Sequence, residues 1–190
     1  MQKSFTMLLS LAAVATFASP VVARAQVSNP LKFTVFGGAA LPSGDARDNL
    51  KTGYTVGGAV DLHAPLMPVG LRGELTYSSM NAKDTGGAGS ASMNDFGGNA
   101  NAVFWLPSLP GAPLSAYLTG GPTYARVEAK ASDSGVDLAV SKKGWGFNVG
   151  AGIDFHLSGL STRLDARYRQ ISLGDGDNFK TIPITFGITF

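Results

Sequence analysis

Apolar and polar residues alternate along most of the chain, and the last ten residues show this most clearly. Every second position there is apolar, namely Ile182, Ile184, Phe186, Ile188 and Phe190, and threonine, proline or glycine fills the gaps. A period of two residues places successive side chains on opposite faces of a β-strand. Residues 181–190 are therefore predicted to form a strand with one entirely apolar face.

Seven earlier stretches repeat this alternation, and no stretch after Gln26 has a sustained helical period. The predicted strands cover residues 31–41, 54–62, 69–78, 95–104, 114–124, 145–155 and 162–168. In the third of these, Leu71 and Leu75 lie on one face while Arg72 and Glu74 lie on the other. With the last strand, the chain predicts an all-β fold of eight strands.

The connections between the predicted strands alternate in length. Short links rich in proline or glycine cover residues 64–68, 107–113 and 158–159, and longer polar segments cover residues 43–51, 79–92, 127–143 and 173–180. This is the plan of an eight-stranded antiparallel up-and-down transmembrane β-barrel with short periplasmic turns and longer extracellular loops. Residues 127–140 are also compatible with a hairpin that rises above the membrane around Asp133-Ser134-Gly135.

The alternation leaves open which face points inward, because a lipocalin-like barrel would turn its apolar face towards a ligand cavity. The polar face consists mainly of Gly, Thr, Asn and Ser, and only 15% of all residues are charged, where a soluble domain averages roughly 25%. Aromatic residues on the apolar face gather near both strand ends: Tyr54, Tyr77, Tyr124, Trp145 and Tyr168 at one, Phe104, Phe155 and Phe190 at the other. Two aromatic girdles favour an apolar face that contacts lipid.

Residues 1–25 have the composition of a secretory signal peptide. Lys3 precedes an apolar run, and Ala23-Arg24-Ala25 forms an A-x-A cleavage site. Cleavage would leave residues 26–190 as one barrel domain and would remove Lys3 and Arg24 but no acid, so the net charge of +2 would fall to zero. We therefore expect no nucleic-acid partner. The chain has no cysteine, which excludes disulfides and thiol chemistry.

Several segments carry a family resemblance. F-G-G-A-A-L-P-S-G-D (36–45), T-G-Y-T-V-G-G-A-V (52–60), G-L-R-G-E-L-T-Y (70–77), A-Y-L-T-G-G-P-T-Y (116–124), F-N-V-G-A-G-I-D-F (147–155) and the terminal Phe190 resemble the small outer-membrane barrels grouped around OmpA, OmpX and the opacity proteins. The resemblance implies the outer membrane of a Gram-negative-type bacterium, contact with membrane lipid and lipopolysaccharide, and assembly by the barrel-assembly machinery. It also implies that Phe190 is the assembly signal.

The motifs specify a barrel more than an activity. We expect a structural or surface-interaction role, such as envelope integrity, adhesion or partner binding through the extracellular loops. The alternatives are a small-solute pore and a lipid A-modifying enzyme. His156-Leu157-Ser158 resembles the H-x-S triplet of outer-membrane lipid A deacylases, but it lies at the predicted short-turn end, away from outer-leaflet lipid. We therefore predict no enzymatic activity, no cofactor and no metal site.

The charges on the polar face predict a network inside the barrel. It comprises Lys32, Asp61, Arg72, Glu74, Asp154, Arg163, Asp165 and Arg167. A narrow lumen gives an unpaired charge little hydration, so acids and bases are expected to pair across it. We predict a plug centred on Arg72, Glu74, Asp165 and Arg167, without steady ion conduction.

Overall fold

Eight antiparallel strands close into a barrel in the computed structural model, which describes residues 30–63, 67–83, 90–107, 113–133, 136–157, 160–174 and 177–190. The strands are β1 (Leu31–Ser43), β2 (Gly53–Leu62), β3 (Val69–Asn81), β4 (Ser90–Trp105), β5 (Leu114–Asp133), β6 (Val136–Leu157), β7 (Leu160–Ser172) and β8 (Asn178–Thr189). Each strand pairs with the next, and β8 returns to pair with β1. The predicted fold class is confirmed.

A short helix interrupts the strand order between β1 and β2. This helix, α1, covers only Ala46–Asn49. Among the described residues, no helix is long and apolar enough to cross a membrane. The predicted signal peptide lies outside the described part of the chain, so its cleavage stays a prediction.

The two ends of the barrel differ. At the long-loop end β1 connects to β2, β3 to β4, β5 to β6 and β7 to β8, and the short-turn end lies opposite. Near the long-loop end, outward-facing aromatic rings pair across strands: Tyr54 with Tyr77 at 6.3 Å and Tyr124 with Trp145 at 4.8 Å between ring centroids. Phe104 is exposed near the short-turn end. These positions suit the two interfaces of a bilayer.

The apolar positions of the alternation face outward. Phe33, Leu75 and Phe186 are more than half exposed, whereas the polar neighbours Thr34 and Glu74 are buried inside. In water, a continuous exterior of leucine, valine and phenylalanine would be an aggregation hazard. A lipid bilayer is the environment in which this exterior is stable, so the lipocalin-like alternative is excluded.

The β5–β6 hairpin is longer than predicted. β5 and β6 contain 20 and 22 residues, and their pairing continues up to Asp133 and Val136. Most of the predicted loop 127–143 is therefore strand, in agreement with the hairpin alternative. The loop predicted for residues 79–92 is also shorter in the structure, because β3 reaches Asn81 and β4 begins at Ser90.

The polarity of the two faces reverses above the aromatic girdle of the long-loop end. Along β5 the outward row changes from Tyr124 to Arg126 and Lys130, while the inward row changes from Thr123 to the buried Val127. The inward side chains form an apolar cluster of Ala40, Leu50, Met80, Ala125, Val127, Ile171 and Phe179. Outside the membrane the exterior meets water, so the barrel there has the apolar core of a soluble β-protein.

Candidate functional site

The lumen inside the membrane region is filled by charged side chains. Among the described residues they comprise five carboxylates and four arginines: Asp61, Glu74, Asp95, Asp154, Asp165, Arg72, Arg163, Arg167 and Arg169. Alternation along the strands brings them inside, because they occupy the face opposite the lipid-contacting row. All of them are almost completely shielded from solvent, so pairing governs their energetics.

Four of these side chains meet in the middle of the lumen. The Arg167 guanidinium donates hydrogen bonds to both carboxylate oxygens of Glu74, which belongs to the opposite side of the barrel. Arg167 Nε also donates to Asp165 Oδ1 at 2.5 Å, and Arg72 Nη1 lies 3.9 Å from Asp165 Oδ2. The planar guanidinium suits this arrangement because it can bridge two carboxylates on different strands. The structure thus brings together Arg72, Glu74, Asp165 and Arg167.

A second group of ion pairs extends towards the short-turn end. Asp61 accepts hydrogen bonds from Arg72 Nε at 2.5 Å and from Arg163 Nη1 at 2.9 Å. Arg163 Nε donates to Asp154 at 2.7 Å, and the Trp105 indole donates to the same carboxylate at 3.3 Å. Arginines and carboxylates therefore alternate along the lumen, and each shared group links one pair to the next.

Lys32 does not join this network. Its backbone is in register with Asp61, and the side chain is half-buried, but it makes no ion pair with a described carboxylate. Arg72 and Arg163 bind the Asp61 carboxylate instead. Of the two cross-strand neighbours of Asp61, Arg72 on β3 is therefore an ionic partner and Lys32 on β1 is not.

Tyr117 connects the two groups and was not among the predicted site residues. Its hydroxyl donates to Asp165 Oδ2 at 2.6 Å, and its ring lies 4.7 Å from the guanidinium carbon of Arg72. The guanidinium carbon of Arg163 lies 5.4 Å from the same ring. A tyrosine between two arginines combines cation–π attraction with a hydrogen bond. The sequence indicated this position, because odd-numbered residues of β5 lie on its polar face.

Asp95 and Arg169 form a separate pair nearer the long-loop end, and the prediction also missed them. Arg169 donates two hydrogen bonds to the Asp95 carboxylate, at 2.6 and 2.7 Å, and both residues are buried. The same alternation that selected Arg167 places Arg169 on the lumen face. This bidentate geometry is the strongest form of a carboxylate–arginine pair.

Amide side chains satisfy further hydrogen-bonding groups around Glu74. Asn101 Nδ2 donates to Glu74 Oε2 at 3.2 Å, and Asn148 Nδ2 donates to Asn101 Oδ1 at 2.8 Å. A cavity of about 30 Å³ lies in the middle of the lumen, among Asn99, Asn148 and Arg167. Since one water needs roughly 10 to 15 Å³ by this kind of measure, the cavity has room for two or three water molecules. The described side chains therefore pack closely in this middle part of the lumen.

Glycines on the inward face of β6 provide space for the large lumen side chains. A Cβ atom at Gly150 would overlap the Ala166 carbonyl oxygen and lie 2.5 Å from Arg167 Cγ. A Cβ atom at Gly152 would overlap the Tyr117 ring. Glycine at these positions therefore permits both the close approach of β7 and the presence of Arg167 and Tyr117.

The two histidines and Asp177 are separate from the lumen charge network. His156 is exposed at the short-turn end, and the serine of its H-x-S triplet lies outside the described residues. His63 contacts the Trp105 ring at 4.3 Å between centroids. Asp177 pairs with Lys142 at 3.0 Å. Across the described part of the chain, no group of three or more His, Asp or Glu side chains is arranged to hold a metal ion.

Phe190 directly follows β8 and is exposed on the outside of the barrel. Its backbone exchanges two hydrogen bonds with Phe33, Phe33 N to Phe190 O at 3.1 Å and Phe190 N to Phe33 O at 2.7 Å. The residue therefore belongs to the closing seam between β1 and β8. Its role as an assembly signal stays a prediction.

Three solved structures illustrate the similarity of the fold. Neisserial surface protein A (NspA) is 14% identical with a TM-score of 0.57, and the match covers 85% of this chain and 96% of that protein. A major outer membrane protein from Thermus thermophilus is 15% identical with a TM-score of 0.57, covering 85% and 99%. The outer membrane enzyme PagL is 15% identical, covering 84% and 98%, but its TM-score of 0.49 is too low to support an argument. At these identities the likeness shows the fold alone.

Sequence comparison identifies the family. No curated protein sequence matches the chain significantly. The outer membrane protein beta-barrel domain family matches residues 8–190, which include every described strand. The closed eight-stranded barrel, the lipid-facing exterior and this match agree. The chain therefore belongs to the outer membrane protein beta-barrel domain family, and it is an integral β-barrel of the Gram-negative outer membrane.

Proposed function

We propose that this protein is a non-enzymatic surface-interaction barrel. Its membrane region is a sealed anchor, and its extracellular sheet, built from the upper parts of β4, β5 and β6, binds an extended segment of a partner protein. The observation that carries the proposal is the unpaired edge of β6 above the membrane.

Among the described strands, only β5 pairs with the uppermost part of β6. β5 pairs with β6 up to Val136, whereas the pairing of β7 with β6 runs only from Trp145 to Leu157. No described strand covers the other side of β6 between Val136 and Ser141, and the edge proposed here is limited to these residues. Unpaired backbone N–H and C=O groups of an edge strand are a template for the addition of another strand.

Apolar side chains lie beside this edge. Leu138 and Val140 are 66% and 61% exposed, and their cross-strand partners on β5 are Ala131 and Ala129. They lie beyond Trp145 and on the opposite face of the strand, in the inward row of Val127, so lipid contact does not explain their exposure. In strand addition, backbone hydrogen bonds supply affinity and side chains at alternate positions supply specificity. Leu138 and Val140 occupy such alternate positions.

The opposite face of the same sheet is polar. Lys130 and Glu128 form an ion pair at 2.9 Å, and Arg126 Nε donates to Ser141 Oγ at 2.7 Å. The hydrogen bond from Lys130 lowers the pKa of the Glu128 carboxyl, which keeps this group ionised. The sheet therefore has one solvated face and one apolar face, and only the apolar face offers a partner a surface to bury.

A partner strand suits this edge better than a second copy of the barrel. Two barrels in one membrane point in the same direction, so a symmetric dimer would have its two-fold axis along the membrane normal. This axis would place the two β6 edges side by side in parallel, with their sheet faces pointing in opposite directions. Such an arrangement does not form a regular β-ladder. An extended segment of another protein has no such constraint, since it can approach in either direction.

Peptide selection tests the proposal. The barrel in nanodiscs is panned against a phage-displayed library of linear peptides, and the selected peptides are measured by fluorescence anisotropy. We expect the selected peptides to have alternating apolar residues. They should bind Leu138→Lys/Val140→Lys at least about 10-fold more weakly than the wild type, because each of these two side chains contributes roughly 1 kcal/mol or more when the peptide buries it. Hydrogen exchange should show protection of the amides of Val136–Ser141 on binding.

The matched control places the same two charges on the other face of the strand, as Ala139→Lys/Ser141→Lys. This variant should retain most of the affinity, since these side chains lie on the solvated face. Equal losses in both variants, or protection at another part of the barrel, would contradict a binding site at the β6 edge.

The small-solute pore is the second candidate, and the packed lumen disfavours it. The charge network occupies the middle of the barrel, and the apolar cluster around Met80 and Phe179 closes the long-loop end. We therefore expect no steady current in planar-bilayer recordings of the wild-type barrel, with a known porin as positive control. A stable single-channel conductance, little changed by Glu74→Ala, would restore the pore hypothesis.

The lipid A-modifying enzyme lacks a supporting observation. In the described part of the chain, no nucleophile, base and orienting acid meet on the lipid-facing surface near the extracellular end. His156 lies at the opposite end of β6. We accordingly propose that overexpression leaves the acyl chains of lipid A unchanged.

A further inference from the structure

Pro183 interrupts the backbone ladder between β7 and β8 in the membrane region. The pairing of these strands skips the position where Arg167 lies opposite Pro183 and the next position, Tyr168 opposite Ile182. On the other side of β8 the pairing with β1 continues through Ala40 and Pro183. Because proline has no backbone N–H, Pro183 cannot donate the ladder hydrogen bond that the Arg167 carbonyl oxygen would accept. One backbone acceptor of β7 therefore lacks its ladder partner at membrane depth, where an unpaired polar group is costly.

The central cavity of about 30 Å³ lies on the lumen side of this gap. Pro183 and Arg167 both line it, together with Asn148 and Arg169. Asn148 and Arg169 are only 3% and 4% exposed, and within the described part of the chain Asn148 Oδ1 and Arg169 Nε have no hydrogen-bond partner. Buried polar atoms are rarely left unpaired in native proteins. Two acceptors and one donor around this cavity thus need a partner.

The mixture of acceptors and a donor determines which ligand fits. A halide ion can only accept hydrogen bonds, so it would suit Arg169 Nε but repel Asn148 Oδ1 and the Arg167 carbonyl oxygen. A metal cation would be repelled by the guanidinium groups of Arg167 and Arg169. A water molecule donates and accepts, and a buried water usually makes about three hydrogen bonds. Water is therefore the ligand that satisfies all three groups.

We propose that the central cavity is a binding site for ordered water that replaces the missing N–H of Pro183. One water molecule donates a hydrogen bond to the Arg167 carbonyl oxygen. The same molecule, or a second one bonded to it, accepts from Arg169 Nε and donates to Asn148 Oδ1. The ladder defect in β8 is thus compensated from inside the barrel, and the lipid-facing side of the seam carries no unpaired acceptor.

The bound water also connects two groups of ion pairs that are otherwise separate. Arg169 holds Asp95 near the long-loop end. Asn148 donates to Asn101, which in turn donates to Glu74 in the central network. Water between Arg169 and Asn148 therefore joins the outer pair to the central network in one hydrogen-bonded chain.

A high-resolution crystal structure of the barrel, grown in sodium bromide, tests the site. We expect electron density of water at hydrogen-bond distance, about 2.7 to 3.2 Å, from the Arg167 carbonyl oxygen, with Arg169 Nε bonded to the same or a neighbouring water. This density should show no anomalous signal at the bromine absorption edge. A bromide peak would assign the cavity to an anion, and a cavity without density would show that the polar atoms stay unpaired. Either result would overturn the proposal.

Pro183→Val tests whether the water takes the place of the missing N–H. The substitution restores a backbone donor opposite Arg167 and extends a side chain into the cavity. We expect continuous β7–β8 pairing at this position and loss of the water molecule beside the Arg167 carbonyl oxygen. If the valine variant does not refold, Pro183→Ala supplies the same N–H with a smaller side chain and the same expected loss.

Pro122→Val is the matched control. Pro122 also interrupts a ladder, since the β4–β5 pairing skips the position where it lies opposite Ala100. It is exposed on the outside of the barrel, however, and is not among the residues that line the central cavity. The water density should therefore remain as in the wild type. Retention of the water beside Arg167 in the position-183 variants, or its loss in Pro122→Val, would contradict its role as a substitute for the N–H of Pro183.

Discussion

Asp95→Ala is expected to destabilise the barrel by about 3 to 5 kcal/mol, the usual cost of removing one partner of a buried ion pair. Asp95 accepts two hydrogen bonds from Arg169, and this is the one ion pair that Arg169 makes with a described carboxylate. In the variant, the guanidinium would remain charged in the lumen without its partner. Urea unfolding in lipid vesicles, followed by tryptophan fluorescence, measures the difference in unfolding free energy.

Two further variants test whether the unpaired charge of Arg169 causes this loss of stability. Glu128→Ala breaks the exposed Glu128–Lys130 pair and should cost less than about 1 kcal/mol, because solvent screens such pairs. Asp95→Leu/Arg169→Met removes both buried charges and should recover most of the loss. A double variant as unstable as Asp95→Ala would show that side-chain volume, and not the stranded charge, causes the effect.

The alternation of residues predicts the faces of the strands well. It correctly places Phe33 and Phe186 outside and Glu74 inside, because a strand in a closed barrel separates only two environments. The number and order of strands follow from the same pattern and from the connections.

Strand ends are predicted less well, and the polarity reversal above the membrane is the reason. The apolar row on the outward face of β5 stops after Tyr124, and on β6 it begins at Trp145. A prediction that follows one continuous apolar row therefore places the strand ends at the aromatic girdle. The backbone pairing nevertheless continues to Asp133 and Val136, with the apolar residues now on the inward face. For the same reason, the unpaired β6 edge could not be foreseen.

Strand positions alone identify only some of the ion partners inside the lumen. Asp61–Arg72 and Asp154–Arg163 are cross-strand neighbours, whereas other pairs join strands that are not adjacent. Asp61 lies beside Lys32 in the ladder, yet it binds Arg163, which reaches it from β7. Such contacts depend on the stagger of the strands around the barrel and on the length of each side chain. Alternation does indicate which residues are available inside, including Tyr117 and Arg169, but the geometry of the closed barrel decides which of them meet.

Gly150→Val is expected to destabilise the barrel by about 3 kcal/mol or more, in the upper range for overpacking of a dense interior. Gly150 is the cross-strand neighbour of Arg167. Any Cβ atom there would overlap the Ala166 carbonyl oxygen and lie 2.8 Å from Arg167 Cα. Because these are backbone atoms, β7 would have to move away from β6, which would weaken the ladder and separate Arg167 from Glu74. Refolding yield and urea unfolding in vesicles measure this effect.

Gly73→Val is the matched control, since it makes the same substitution on the outward face of β3. A Cβ atom at Gly73 meets nothing within 4 Å, and the position is exposed to lipid. Valine there adds apolar surface against hydrocarbon and suits a strand, so the variant should be as stable as the wild type or slightly more stable. If Gly150→Val refolds with wild-type yield and stability, β7 can move away from β6 without a loss of stability. In that case the close approach at Gly150 is not what holds Arg167 against Glu74.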